Sequence, residues 1–125
     1  MLGLPKILVV EDDLDCSGVY QDAMEGQAVV LIAHNSDDAQ RLFDENPDLD
    51  GVLMDGEVPG NATTEELVLK FKQTFDGPFA AATGGRKQEA LLRAGCNLNM
   101  GKPISMEQLM SFVRAAAAHR QQRPS

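Results

Sequence analysis

The chain has 125 residues, of which 43% are hydrophobic and 24% are charged, and its net charge at pH 7 is −8. These values predict one soluble globular domain, and the negative charge argues against nonspecific binding to nucleic acid. No apolar run approaches the length of a membrane span, and no signal-peptide pattern opens the sequence. The two cysteines have no metal-ligand partners at close spacing, so we expect no disulfide framework, no zinc site and a reducing cytoplasm.

Charge is unevenly distributed along the chain. Residues 1–85 hold 17 of the 19 acidic residues, whereas residues 86–125 hold 7 of the 11 basic residues. Two interpretations stay open: the exposed helix faces differ in sign by chance, or the basic final third of the chain contacts an acidic partner.

The first 47 residues alternate apolar runs with amphipathic stretches. Buried strands are predicted at residues 6–10 and 28–33. One helix is predicted at residues 13–24, and a second helix, capped by Ser36, is expected to end before Pro47. The predicted cap of the first helix is Asp12 or Asp13. Its predicted inner face consists of Leu14, Val19 and Ala23.

The rest of the chain continues this alternation. The predicted strands are residues 51–54, which end at Asp55, residues 79–82 and residues 97–101. A third helix is predicted to begin at Thr63 or Thr64, with Glu66 completing its N-terminal cap. A fourth is predicted at about residues 86–94 and ends before Gly95. A fifth is predicted at about residues 105–119. The expected inner face of the last helix consists of Met106, Leu109, Phe112 and Val113.

Five strands and five helices in strict alternation predict an α/β fold with a parallel sheet and right-handed crossovers. We expect a flavodoxin-like, doubly wound (βα)5 domain with the strand order 2-1-3-4-5. The domain is predicted to occupy residues 1–120, followed by a flexible tail or the start of a linker at residues 121–125. In such sheets the active site lies beyond the carboxyl ends of the strands.

Side chains that can bind a metal ion or take part in catalysis follow four of the predicted strands. They are Glu11, Asp12 and Asp13 after strand one, Asp55 after strand three, Thr83 after strand four and Lys102 after strand five. Clustered carboxylates repel one another, and a hard cation such as Mg²⁺ relieves that repulsion. A carboxylate can also attack a phosphoryl donor, while a metal ion, a lysine and a hydroxyl neutralise the transferring group. Asp55 is the predicted nucleophile because it ends the central strand after a deeply apolar run.

Each of these residues alone has an ordinary structural explanation. The acidic run at residues 11–13 would serve as a solvated helix cap, Thr83 as a turn residue, and Lys102 as a loop lysine before a proline. Their joint placement at the ends of strands one, three, four and five is far more specific than any one of them.

On these residues the chain resembles the response-regulator receiver domains of two-component signalling, over residues 6–119. Residues 7–13 resemble the first strand and acidic pair of that family, and residues 54–59 resemble its acceptor-aspartate motif. Lys102 and Pro103 resemble its lysine and the proline that follows, where the family implies a catalytic ammonium and a cis peptide bond.

The resemblance implies a role for each remaining matched residue. Asp55 would accept the phosphoryl group, Asp12 would bind Mg²⁺ directly, and Glu11 would bind it through water. The backbone carbonyl of Glu57 would also bind the metal, and the Thr83 hydroxyl would move toward the phosphoryl group.

Some positions depart from the family pattern or border the phosphoryl group. Asn99 stands where a switch Tyr or Phe is usual, and Gly85 stands where one subgroup places a substitute aromatic. Glu57 and Gly85 lie two residues beyond Asp55 and Thr83, where side chains can alter the lifetime of an acyl phosphate. Asn99 and Glu57 also have a plain interpretation as solvent-facing residues.

The leading hypothesis is a signalling switch that catalyses only its own phosphorylation and dephosphorylation, and is not otherwise an enzyme. A sensor histidine kinase or histidine phosphotransfer protein would donate the phosphoryl group, docking on the first helix near Leu14 and Val19. Phosphorylation would bias a surface near the fourth helix, fifth strand and fifth helix toward an unknown downstream protein. The alternatives are a phosphorylation-independent interaction module and, less favoured, an aspartyl phosphohydrolase. We expect no direct nucleic-acid or membrane partner.

Overall fold

The structure, a computed structural model, describes residues 3–55, 57–83, 85–100 and 104–122, with the backbone alone described at residues 85, 86 and 99. Its strands are β1 (Lys6–Val10), β2 (Val29–Ala33), β3 (Gly51–Asp55), β4 (Phe79–Ala82) and β5 (Leu98–Asn99). Its helices are α1 (Leu14–Ala23), α2 (Ser36–Glu45), α3 (Thr64–Phe71), α4 (Gly85–Ala94) and α5 (Met106–Gln122). Strands and helices therefore alternate along the chain in the predicted order.

The strands form one parallel sheet in the order β2-β1-β3-β4-β5. In the register of its central strands, Val10 pairs with Met54 and Asp55 pairs with Ala82. β5 is short and pairs with β4 over two residues. The α/β class, the parallel sheet and the five helices agree with the sequence-based prediction.

The sheet is covered on both faces, which explains why its central strands are unbroken apolar runs. In β1, Leu8 and Val10 belong to one core cluster, whereas Ile7 and Val9 belong to the other, as the two-residue period of a strand requires. Helices α2, α3 and α4 complete the first cluster with Ala39, Leu67, Val68, Phe71 and Leu91. Helices α1 and α5 complete the second cluster with Tyr20, Leu109, Phe112, Val113 and Ala116.

The inner faces of α1 and α5 differ in part from the predicted ones. Leu14 and Val19 are 70% and 64% exposed, so their predicted inward orientation is wrong. Met106 in the first turn of α5 is likewise exposed, whereas the other predicted residues of that face are buried. The stripe that α1 and its C-terminal cap bury has helical spacing and consists of Ser17, Tyr20 and Met24.

Side-chain caps fix where three helices begin. Asp13 caps α1 by accepting hydrogen bonds from two backbone amides of the first turn. Thr63 and Glu66 form the predicted capping box at α3. The cap of α2 is Asn35 rather than the predicted Ser36, because Asn35 has the extended backbone of a cap and accepts a first-turn amide. Ser36 is instead a buried first residue of the helix.

The last helix, α5, ends at Gln122, three residues beyond the helix end predicted at about residue 119. Residues 123–125 of the predicted tail lie outside the described ranges. Across the described part of the chain, no helix combines the length and the apolarity needed to cross a membrane.

Candidate functional site

Three carboxylates meet at the carboxyl edge of the sheet. Glu11 directly follows β1 and Asp55 ends β3, and these two strands are neighbours in the sheet. One carboxylate oxygen from each of Glu11, Asp12 and Asp55 lies within 4.8 Å of the other two. Glu11 and Asp55 are buried, at 1% and 9% exposure, whereas Asp12 is exposed. We call these three residues the acidic cluster; it opens to solvent on the side of Asp12.

The backbone of Glu11 extends the ladder between β1 and β2 beyond the last strand residue. Its amide donates to the carbonyl oxygen of Ala33 at 2.9 Å, and its own carbonyl oxygen lies 2.9 Å from Nδ1 of His34. A carbonyl oxygen only accepts, so a hydrogen bond here requires the ring proton of His34 on Nδ1. These contacts fix the backbone from which the Glu11 side chain enters the acidic cluster.

Asp13 is adjacent to the acidic cluster in sequence, but its side chain is used elsewhere. Its Oδ1 accepts hydrogen bonds from the amides of Asp15 at 2.9 Å and Cys16 at 3.1 Å. A carboxylate at this place satisfies unpaired amides and interacts favourably with the helix dipole. The structure therefore divides the acidic run at residues 11–13 into two cluster residues and one helix cap, and the cap is Asp13 rather than Asp12.

The donor atoms of the acidic cluster fit a hard divalent cation. Carboxylate oxygens are the side-chain ligands that Mg²⁺ prefers in proteins. Oxygens within 4.8 Å of one another can contact a common ion, and a cation between them relieves their mutual repulsion. The carboxylates of Glu11, Asp12 and Asp55 are therefore suited to hold the predicted Mg²⁺.

Two further predicted site residues lie on the same edge of the sheet. Thr83 directly follows Ala82, which is the residue that pairs with Asp55, and it is half-buried. Glu57 comes two residues after Asp55 and is exposed. A hydroxyl and a backbone segment thus flank the end of β3 on the side where the acidic cluster lies.

The remaining predicted positions are described in part or lie outside the described residues. Lys102 and Pro103 fall outside the described ranges, and at Gly85 and Asn99 the backbone alone is described. The predicted ammonium, the predicted cis peptide bond and the two predicted modulating positions therefore stay predictions.

An ion pair that no sequence pattern indicated joins the first turns of α3 and α4. Nζ of Lys87 lies 2.9 Å from Oε1 of Glu65, and the two side chains are 32% and 29% exposed. The hydrogen bond from Lys87 lowers the pKa of Glu65. The same bond raises the pKa of Lys87, and the negative charge of Glu57 adds a smaller increase. The pair therefore lies within electrostatic reach of the loop that follows Asp55.

The chain is similar in sequence to a curated protein. It is 30% identical over 117 residues to the transcriptional regulatory protein CpxR of Klebsiella pneumoniae, which corresponds to 88% of this chain and 48% of CpxR. The chain thus spans about half the length of that relative. No protein-family model matches the chain.

Solved structures of receiver domains match most of the chain. A response regulator receiver domain protein from Clostridium thermocellum has a TM-score of 0.82 at 22% identity, covering 94% of this chain and 98% of its own. A two-component response regulator from Clostridium difficile has a TM-score of 0.80 at 20% identity, covering 95% and 99%. The co-crystal structure of the Saccharomyces cerevisiae histidine phosphotransfer protein Ypd1 with the receiver domain of its downstream response regulator Ssk1 matches with a TM-score of 0.77 at 17% identity, covering 96% and 94%. At these identities the likeness establishes the fold.

Proposed function

We propose, from the receiver-domain fold that the chain shares with response regulators, that it is a phosphorylation switch. Its acceptor is Asp55, and its cofactor is a Mg²⁺ ion bound at the acidic cluster. The observation that carries this proposal is the meeting of Glu11, Asp12 and Asp55 at the carboxyl edge of the central strands. A largely buried nucleophile and two further carboxylates there share one small volume.

Asp55 supplies the nucleophile of the proposed reaction. One of its carboxylate oxygens attacks the phosphorus of a phosphohistidine or a small acyl phosphate, so that an O–P bond forms. The bond from phosphorus to the donor atom breaks and the donor leaves with the electron pair: an imidazole then takes up a proton from solvent, whereas a carboxylate stays ionised at neutral pH. Because every residue of β3 is buried, the backbone that carries the nucleophile is held firmly by the sheet.

The other residues of the site bind the ion and neutralise the transferred group. Asp12 and Glu11 would hold the ion together with the backbone carbonyl of Glu57. When bound, Mg²⁺ supplies positive charge that offsets the negative charge of the phosphoryl oxygens. The Thr83 hydroxyl donates a hydrogen bond to one of those oxygens, and the Lys102 ammonium pairs with another. The place of Thr83 beside the end of β3 supports its part.

Thr83 also connects the proposed site to the proposed output surface, which would bind the downstream partner. α4 begins two residues after Thr83, so a shift of Thr83 toward the phosphoryl group acts on the first turn of that helix. The output surface would then lie near α4, β5 and α5, where the basic final third of the chain is found. A change of a few kcal/mol, on the order of that in known two-state switches, is enough to shift such a surface.

The proposed phosphoryl donor is a sensor histidine kinase or a histidine phosphotransfer protein. Leu14 and Val19 are exposed on α1, which begins two residues after Asp12. Exposed apolar side chains beside an acidic site offer a docking surface for a helix of the donor. The yeast receiver domain that was crystallised with a phosphotransfer protein supports this class of partner. We place the reaction in the cytoplasm, where cysteines that form no disulfide, such as Cys16 and Cys96, stay reduced.

A phosphorylation-independent interaction module is the second candidate function. The observation in its favour is Asn99, because the aromatic side chain that usually couples the hydroxyl residue to the output surface is absent there. Such a module would use the same fold and exposed faces without chemistry at Asp55.

Intact-mass measurement distinguishes the two candidates. After incubation with Mg²⁺ and a small acyl phosphate, the wild-type protein is expected to gain the mass of one phosphoryl group. Asp55→Asn, and the wild-type protein without metal, are expected to gain none. Asp13→Asn is the matched control, because it removes one nearby negative charge while asparagine still caps α1, and its gain should equal that of the wild type. An unmodified wild type, or equal gains in Asp55→Asn and the wild type, would contradict the proposal.

A further inference from the structure

The loop between β3 and α3 is fastened to the first turn of α2. The backbone amide of Ser36 donates to the carbonyl oxygen of Pro59 at 2.8 Å, and the Ser36 hydroxyl accepts from the amide of Ala62 at 3.1 Å. Next to it, the side-chain amide of Asn61 lies 3.3 Å from both carboxylate oxygens of Asp37. We call residues 57–62 the acceptor loop and this set of contacts the clamp.

Ser36 is the centre of the clamp, and it is a buried polar residue with 1% exposure. It uses its backbone amide on one side of the acceptor loop and its hydroxyl oxygen on the other, so that the turn between Pro59 and Ala62 closes around it. Gly60, in the middle of that turn, has a φ of +132°. A Cβ at Gly60 would lie 2.9 Å from the Ser36 amide nitrogen and would overlap the Ser36 hydroxyl. There is therefore no space for a side chain at position 60 while Ser36 keeps its place.

The clamp has a consequence for the acidic cluster, because only three residues separate Asp55 from Pro59. Asp55 is fixed at one end by its pairing with Ala82, and Pro59 is fixed at the other end by Ser36. Glu57 lies in this short span. Glu57 and Val58 immediately precede the fixed Pro59, so they lose conformational freedom before any ligand binds, and preorganised ligands bind more tightly.

We propose that Ser36 is a positioning residue for the metal site, and that it acts through the acceptor loop on the backbone carbonyl of Glu57. This inference rests on the proposed function, since it assigns that carbonyl to the ion. Ser36 itself touches neither the ion nor the phosphoryl group. Its contribution is to keep the loop in the conformation that the bound state needs.

Ser36→Ala tests the inference, because it removes the hydroxyl but keeps the backbone bond to Pro59. Ser17→Ala is the matched control: Ser17 is the other buried serine among the described residues, and its hydroxyl donates to the carbonyl of Leu14 at 3.1 Å. The readouts are the Mg²⁺ dissociation constant from isothermal titration calorimetry and the amide hydrogen exchange of residues 57–62 except Pro59, which has no amide hydrogen. Each is measured on the folded, unphosphorylated protein.

We expect Ser36→Ala to bind Mg²⁺ about tenfold more weakly, the lower end of the loss seen when a group that orients a metal ligand is removed. Exchange in the acceptor loop should become faster in the same variant, while Ser17→Ala changes neither quantity. Faster exchange with unchanged Mg²⁺ affinity would overturn the inference, because Ser36 would then only stabilise the fold. A wild-type protein that binds no Mg²⁺ would instead overturn the proposed function, and the positioning role with it.

Discussion

Lys87 and Glu65 fasten the start of α4 to the start of α3, with 2.9 Å between Nζ and Oε1. A cation near the N-terminus of a helix opposes the helix dipole, so Glu65 offsets an unfavourable position of Lys87 in α4. Because α4 begins two residues after Thr83, the ion pair restrains the part of the molecule that we propose moves on phosphorylation.

The ion pair predicts a pH dependence of stability at both ends of the scale. The pKa of Glu65 is lowered from 4.5, so its stabilising effect is complete above pH 4.5 and is lost as the pH falls through the lowered value. The pKa of Lys87 is raised from 10.5, so its effect is complete below pH 10.5 and is lost as the pH rises through the raised value. Urea unfolding of the wild type and Lys87→Gln should therefore differ most between these limits, by less than about 1 kcal/mol for such an exposed pair.

A charge-swapped variant controls for effects of the single substitutions. Lys87→Glu places two acidic side chains opposite each other, and Glu65→Lys places two basic ones, so each should lower the free energy of unfolding. The double variant restores an opposite pair and should recover part of the loss. Equal losses in the double variant and in the sum of the single variants would show that the contact contributes nothing.

Removal of one charge from the acidic cluster should stabilise the metal-free protein. Asp12 is exposed and close to two buried carboxylates, so Asp12→Asn relieves repulsion. We expect a gain of about 1 kcal/mol in the unfolding free energy in a chelator, because the repulsion between two like charges about 4 Å apart is roughly this large in water, and Asp12 is exposed to water. Added Mg²⁺ should then raise the melting temperature of the wild type more than that of the variant. Glu25→Gln, an exposed charge remote from the cluster in sequence, should show neither effect.

Asp50 should matter for stability and not for the site. It is fully buried at the amino end of β3, where its carboxylate accepts from the Lys6 amide at 2.9 Å and from Arg120 at 3.1 Å. Asp50→Ala leaves both donors without that acceptor, so we expect a loss of about 3 kcal/mol in urea unfolding. Asp48→Ala breaks a more exposed ion pair with the Lys6 side chain and should cost less than about 1 kcal/mol. Because Asp50 precedes β3 and the acidic cluster follows it, Mg²⁺ affinity should be unchanged in both variants.

The strand ends could be predicted from the sequence because parallel strands place their carboxyl ends at one edge of the sheet. Glu11 and Asp55 each lie at the end of an apolar run of buried-strand length, and their meeting follows from the alternation of strands and helices together with a strand order that places β1 beside β3. The capping box of Thr63 and Glu66 was likewise predictable, since its members lie within one helical turn.

Contacts that depend on how the helices sit on the sheet could not be predicted. Leu14 and Val19 were expected inside because they are the larger apolar residues of α1, yet the helix faces the sheet with Ser17 and Tyr20. That face packs into the core with Tyr20 and Met24, a tertiary contact that the apolar pattern of α1 does not record. The clamp and the ion pair between α3 and α4 join residues more than twenty positions apart, which no local spacing rule connects.

The fit between Gly60 and Ser36 predicts different costs for two glycine substitutions. Gly60 and Gly26 both have positive φ angles, +132° and +80°, so alanine at either position is strained, by about 1–3 kcal/mol, and the strain is larger at Gly60, whose φ lies beyond the left-handed helical region. At Gly26 a Cβ would enter open space, whereas at Gly60 it would overlap Ser36. Overpacking typically adds about 1–3 kcal/mol, so Gly60→Ala should lower the free energy of unfolding in urea by clearly more than Gly26→Ala. In the double variant Ser36→Ala/Gly60→Ala the loss should be smaller than the sum of the two single losses, because the overlapping hydroxyl is gone. Equal costs for the two glycine substitutions, with additive losses in the double variant, would mean that the acceptor loop moves aside and that the clamp does not hold it in place.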